Sequence, residues 1–334
     1  MLLVVFSTMV LTLVLLGSTM DKILIDAVRY DEVNTVNQGK FQFQSPDQRQ
    51  KYVDTQSLLH IKALGLDKPW YSPQRFVNTL LKLLMLDLGK SHFFTSDSGS
   101  SSVKDIILEK LPKTVLLFTS STIIVSLIGV FTGAFVADRS GSIWDKINSF
   151  FAVLTSSFPS WWVGMLMIFA FAFVYQIFPA RSTPLTSPSD PFYILDLLYH
   201  MTLPLITIVL VSFSASAYIV KYFIVGILRE DFITAQTAIG LPKKRIVYSH
   251  ALKNAGPPII TGIALSLASS FGGAIIIEAV FGWPGMGKLY YDAISVMDVP
   301  IIIGLTYIFT LIFVITIFVT DIIYAFLDPR VKVG

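Results

Sequence analysis

The chain has 334 residues, 54% of them hydrophobic and only 14% charged, with a mean hydropathy of +0.69. That is too apolar for a soluble two-domain protein of this length and describes a multi-span membrane protein. The net charge of +3 is modest, with basic residues in loops beside apolar runs, and cysteine is absent. A nucleic-acid partner, disulfide-held exported loops, thiolate nucleophiles and cysteine-based metal sites are thereby excluded.

Residues 2–16 are apolar with no basic segment ahead of them, unlike a secretory signal, and read as a first span, with a signal anchor as the alternative. The run is short beside the roughly 20 residues that cross a bilayer. Residues 18–102 are polar and rich in turn signals, so they lie in water as an insertion. Within it, 47–65 and 73–88 carry apolar residues at helical spacing, Leu80, Leu81, Leu84 and Leu88 sharing one side. Residues 102–111 read as a surface helix that Pro112 ends. The second span, 114–137, has Gly129 and Gly133 four apart, a spacing that lets helices pack closely in lipid.

Residues 147–178 are apolar for longer than one upright crossing needs, and Pro159 breaks them. Either this is one long, kinked third span or two spans joined at Phe158-Pro159-Ser160-Trp161-Trp162. Charge decides between them. Lys221, Arg229, Lys243, Lys244, Arg245 and Lys253 crowd the segment before the fifth span, whereas the loops around Arg181 and Lys288 carry Asp190, Asp196, Asp292 and Asp298. The positive-inside rule puts the basic segment, the Arg139–Lys146 turn and the tail at Arg330 and Lys332 in the cytoplasm, which a single third span satisfies. Spans four to six follow at 201–220, 256–280 and 300–326, giving six spans with both termini inside. Trp161, Trp162, Trp283, Tyr290 and Tyr291 fall near span ends or the break, where amphipathic rings anchor.

Few residues here can do bond chemistry. Gly282 to Lys288 fits half of a phosphate-binding loop, but Leu289 stands where a magnesium-binding Ser or Thr is needed, and a membrane helix precedes it. The four histidines, His60, His92, His200 and His250, lack metal-ligand spacing, and no Ser-His-Asp or paired-glutamate arrangement is visible. Glu278 either lines a mouth or reaches the membrane interface, and Asp321 caps or pairs near the inner surface. Hydroxyls within the spans suggest a polar conduit: Thr155, Ser156 and Ser157; Ser212, Ser214 and Ser216; Ser266, Ser269 and Ser270. Packing or bonding to backbone carbonyls is the plainer role for each. Ser156, Ser157, Ser269 and Ser270 are the pathway candidates, and Gly272 and Gly273 beside them allow close approach or bending.

The segment 230–260 is basic and punctuated by Gly and Pro between two apolar runs, so it emerges from the membrane to touch something soluble. Thr234-Ala235-Gln236, Gly240 and His250-Ala251-Leu252 within it resemble the EAA loop of ABC-importer permeases, in the dipeptide/oligopeptide branch. The acidic residue of that pattern is Thr234 here and its second alanine is Gln236. Leu64 to Tyr71 (LGLDKPWY), Leu86 to Ser91 (LDLGKS), Phe281 to Leu289 (FGWPGMGKL) and Asp328 to Lys332 (DPRVK) extend the resemblance in order along most of the chain.

The resemblance implies an all-α polytopic protein with the type I ABC importer transmembrane fold. A first helix at 1–17, an extracytoplasmic insertion at 18–102 and a permease core at 103–334 would carry a cytoplasmic coupling loop at 221–255. It implies a non-enzymatic plasma-membrane subunit paired with a second permease, two cytoplasmic ATPases that bind the ATP and magnesium, and an extracytoplasmic solute-binding protein. This chain itself would hold no cofactor. Thr234, Ala235, Gln236, Ala238, Gly240, Leu241, Pro242, Lys243, Lys244 and Arg245 would couple to the ATPase; Glu278, Trp283, Pro284 and Gly285 would form the outer mouth. Peptides are the expected cargo, with oligosaccharides or nickel as alternatives. A stand-alone secondary transporter or channel, or an intramembrane enzyme, would need features that the sequence lacks, namely internal repeats, charges deep in the spans or catalytic groups.

Overall fold

In the computed structural model the described residues are 45–63, 66–69, 71–91 and 93–327, with scattered positions between 7 and 43. Most of the expected first span, His92 and the tail from Asp328 fall outside them, as do the side chains of Leu80, Leu84 and Asp321. Along the chain run α1 (Pro46–Ala63), α2 (Pro73–Leu84), α3 (Val103–Asp138), α4 (Ile143–Ser157), α5 (Ser160–Ile168), α6 (Tyr193–Ile227), α7 (Asp231–Ala238), α8 (Lys243–Arg245), α9 (Leu252–Asn254), α10 (Gly256–Ser270), α11 (Ile275–Phe281), α12 (Met286–Val296) and α13 (Val299–Leu327). π-helical turns at Phe169–Val174 and Ile246–Ala251 complete the order. Among the described residues the one extended pairing outside a helix is an isolated bridge between Lys90 and Ser102.

Helices α3, α6 and α13 are each long and apolar enough to cross a membrane, and two bent pairs bring the number to five if each pair is one span. The Pro159 break is sharper than a kink, because α4 meets α5 and its π turn at 96°. Proline forces the residue before it out of the helical region, and Phe158 is extended at φ −110°, ψ 138°. The expected fifth span is broken too, α10 and α11 meeting at 63°. Gly273 turns that corner at φ +64°, so the glycine pair serves for bending.

Two expected boundaries move. Helix α3 runs through Pro112 instead of ending before it. One proline removes a single backbone bond, and the residues on either side, Ile106, Ile107, Thr114 and Leu117, are all buried and hold the helix in place. Helix α6 extends to Ile227, so Lys221 belongs to a helix and not to a loop starting there.

The chain divides into two compact units, 1–107 with 293–311, and 108–292 with 312–334. In the first, Asp298 precedes α13 as its N-cap, Oδ1 accepting the Ile301 amide at 3.3 Å. Its Oδ2 accepts the Ser91 hydroxyl at 2.6 Å and the Phe93 amide at 3.1 Å. The fully buried Asp298 is thus a structural anchor for the LDLGKS segment. Leu88 of that segment packs toward Gly304, where a Cβ would come 2.7 Å from Val103.

In the second unit α3 lies on α6. A Cβ on Gly129 would collide with the Ser216 side chain, and one on Gly133 would come 2.7 Å from the Ala217 carbonyl. The four-residue glycine spacing is therefore a helix-packing device, as the sequence suggests. One apolar cluster gathers Leu117, Leu203, Phe281 and Trp283; another joins Ala134, Ala137, Val220, Ile224, Val247, Ala251 and Ile259.

Candidate functional site: two loops and a hydroxyl-lined cavity

The elbow between α7 and α8 ends its first helix in a Schellman turn. The Gly240 amide donates to the Thr237 carbonyl at 3.0 Å and the Leu241 amide to the Gln236 carbonyl at 3.2 Å. Gly240 sits at φ +85°, a conformation that L side chains rarely adopt, and Pro242 stops the helix from resuming early. Thr234, Ala235, Ala238, Gly240, Pro242, Lys243, Lys244 and Arg245 are exposed, while Gln236 and Leu241 are half-buried. Ile239 at the tip is 78% exposed, and a Cβ on Gly240 would meet nothing within 4 Å. The Gln236 side-chain amide lies 3.3 Å from His250 Nδ1, which ties α7 to the returning limb. His250 is thereby a hydrogen-bonding residue of the loop. The π turn seats that limb, burying Val247 and Ala251 against the ends of α3 and α6.

The loop after α11 uses the same backbone turn. The Gly282 amide donates to the Ala279 carbonyl at 3.2 Å and the Trp283 amide to the Glu278 carbonyl at 2.9 Å, with Gly282 at φ +66°. Its surroundings are dense. Glu278 Oε1 accepts the Thr114 hydroxyl at 2.8 Å; Oε2 accepts the Gly287 amide at 2.8 Å and the Lys288 amide at 3.1 Å. Thr114 Oγ1 in turn accepts the Met286 amide at 2.8 Å. The first-turn amides of α12, which have no carbonyl partners within the helix, are thus satisfied by α11 and α3. The Trp283 ring is buried and its Nε1–H donates to the Lys113 carbonyl at 3.0 Å. The strap before α6 closes the other side, the Ser182 amide reaching the Phe281 carbonyl at 2.7 Å and the Thr183 hydroxyl the Gly282 carbonyl at 2.7 Å.

Of the four residues expected at an outer mouth, Glu278, Trp283 and Gly285 are buried and Pro284 is half-buried. Glu278 therefore neither lines an open mouth in this chain nor reaches an interface, because its carboxylate is consumed in capping α12. Trp283 is a core residue and not an interfacial anchor. Helix α12 and its capping are invisible locally, since Glu278 and Thr114 are 164 positions apart.

A cavity of about 370 Å³ lies between α3, α6 and α10, its polar lining made by Thr122, Ser126, Ser212, Ser216 and Ser266. Ser212, Ser216 and Ser266 come from the hydroxyl sets read in the sequence; Thr122 and Ser126 do not, although their four-residue spacing puts them on one face of α3. The four chosen pathway residues are not part of this lining. Ser156 and Ser157 are exposed and donate to their own helix at Ala152 and Val153. Ser270 is buried, 3.0 Å from Thr119 Oγ1, and Ser269 is exposed. Ser214 is buried. Alternate turns of one helix face different neighbours, so hydroxyl content alone cannot select the lining.

An all-helical, multi-span chain with a bare small-residue elbow and a polar cavity between its spans is built as a membrane transport subunit. Residues 129–333 match the binding-protein-dependent transport system inner membrane component family, and the chain belongs to it. It is 28% identical over 272 residues to the oligopeptide transport system permease protein AppB of Bacillus subtilis, covering 81% of this chain and 84% of that one. It is 30% identical over 305 residues to the di/tripeptide transport system permease protein DppB of Pseudomonas aeruginosa, covering 85% and 87%. It is also 30% identical over 280 residues to the peptidoglycan transport system permease protein YejB of Agrobacterium fabrum, covering 81% and 74%. The expected kinship with peptide-type permeases is borne out, and permease components of this kind are not themselves catalytic.

Proposed function

We propose that this chain forms half of the translocation path of an ATP-driven peptide importer, with the α7–α8 elbow seated in a cytoplasmic ATPase. The bare elbow carries this reading. An isoleucine 78% exposed, beside Ala235, Ala238 and a glycine whose Cβ position is open, is a surface suited to a closely approaching partner, with Lys243, Lys244 and Arg245 flanking it. ATP and magnesium belong to that ATPase, and a second permease and a solute-binding protein complete the assembly. The elbow lies inside the cell, a placement that its basic flank supports.

Peptide cargo is supported by two of the relatives above, named for oligopeptides and for di- and tripeptides, while the third is named for peptidoglycan. The cavity wall has hydroxyls and apolar side chains and no ionised group, which suits passage of varied side chains along a weakly binding surface. Purified with its partners, the chain should bring down an ATPase. Gly240→Val should leave membrane insertion intact and abolish ATP-coupled uptake, because a β-branched residue opposes the turn's positive φ. Undiminished coupled uptake in that variant would overturn the assignment of the elbow. Competition of peptides and oligosaccharides for the partner binding protein decides the cargo.

A further inference from the structure

Lys221 of α6 forms an ion pair with Asp145 in the first turn of α4. Both side chains are largely buried, 17% and 10% exposed. Asp145 makes two further contacts, accepting the Gly141 amide at 2.8 Å and lying 3.4 Å from the Ser149 hydroxyl. Gly141, at φ +85°, belongs to the turn that joins α3 to α4. One carboxylate therefore gathers the α3–α4 turn, α4 and α6. One turn further along α4, Asn148 Nδ2 donates to the Ser214 carbonyl of α6 at 3.4 Å, and the Gly129 and Gly133 contacts bind α3 to the same helix. Beyond Lys221, α6 runs unbroken to Ile227, and only residues 228–230 separate it from α7.

We infer that the Asp145–Lys221 pair is a positioning link that makes α3, α4 and α6 move as one lever, so that displacement of the elbow reaches the cavity wall on α3 and α6. The inference rests on the importer reading above. A continuous helix transmits displacement along its axis but does not oblige its neighbours to follow. A buried charge pair does, because separating its members leaves each charge uncompensated. The link is expected to stay closed through the cycle, the lever rotating as a rigid body and the broken junctions at Pro159 and Gly273 absorbing the bend.

Removing one charge from a buried pair disturbs folding, so the informative variant is the doubly neutral Asp145→Asn/Lys221→Met, tested in the complete complex in vesicles, with Lys221→Arg as the conservative control. The double variant should assemble and hydrolyse ATP like the parent while its uptake per ATP falls about tenfold, a typical coupling energy between sites. Lys221→Arg should keep uptake per ATP near the parent value. Parental uptake per ATP in the double variant would overturn the link.

Cross-linking tests the same idea where the double variant does not assemble. The chain has no cysteine, so Asn148→Cys/Ser214→Cys with a short bismaleimide joins α4 to α6 alone. Uptake should survive that cross-link, and its loss on cross-linking would show that the two helices separate. If the parent complex itself lacks ATP-dependent uptake, the importer reading fails, whereas failure of the link leaves parental uptake untouched.

Discussion

Two loops of this chain, Gly240-Leu241-Pro242 and Gly282-Trp283-Pro284, are built on one backbone plan and meet opposite fates. Each ends a helix with a left-handed glycine, a Schellman pair of hydrogen bonds, an apolar residue and a proline. Around Gly240 a Cβ would find open space; at its counterpart Gly282 one would meet Arg181 at 3.7 Å, and at Gly285, three residues on, one would collide with the Glu278 carboxylate. Ile239 is exposed and Trp283 is buried. The same local code yields a finished, self-satisfied corner in one place and a bare surface in the other, and what distinguishes them is the company supplied by distant elements. The second loop has Thr114, Glu278 and the 182–183 strap. The first has a side-chain tie between its limbs, Gln236 to His250, and leaves Ile239 exposed at its tip.

The comparison breaks most readily at Glu278. Glu278→Ala would leave the Gly287 and Lys288 amides and the Thr114 hydroxyl without their acceptor, each orphaned buried group costing about 1–3 kcal/mol. Thermal unfolding in detergent should fall steeply, and a melting temperature equal to the parent's would show that the corner does not depend on this carboxylate. Gly240→Ala sharpens the contrast. Its cost is limited to the left-handed conformation, about 1–2 kcal/mol, so the same assay should show a small shift and nearly all the damage should appear as lost ATPase coupling. The smallest effect is expected from Gln236→Ala, which removes one partly buried hydrogen bond worth about 0.5–1.5 kcal/mol. Hydrogen exchange at α7 should rise there without a change in the melting temperature of the whole chain.

Much of this was readable along the chain. Apolar run length picked out the spans that appear as α3, α6 and α13. The glycine pairs at 129/133 and 272/273 were legible because their backbone demands are local, as was the break at Pro159. The elbow's turn could be read from Gly240 and Pro242 for the same reason. The pathway residues could not. Ser266 lines the cavity while Ser269, one turn later, does not, and only the placement of neighbouring helices separates them. The burial of Glu278 and Trp283 was also hidden, because their partners Thr114 and Lys113 come from another helix more than 160 positions away.

Hydropathy and charge by themselves determined that this chain lives in a membrane and that its basic elbow differs from its acidic loops, because transfer from water to lipid depends on the composition of each segment alone. Which glutamate caps a helix, which serines face a cavity, and that Lys221 pairs with Asp145 instead of crowding a loop were decided by tertiary structure. Those outcomes depend on which side chains distant segments bring within a few ångströms, where a buried polar group either finds its partner or stays costly.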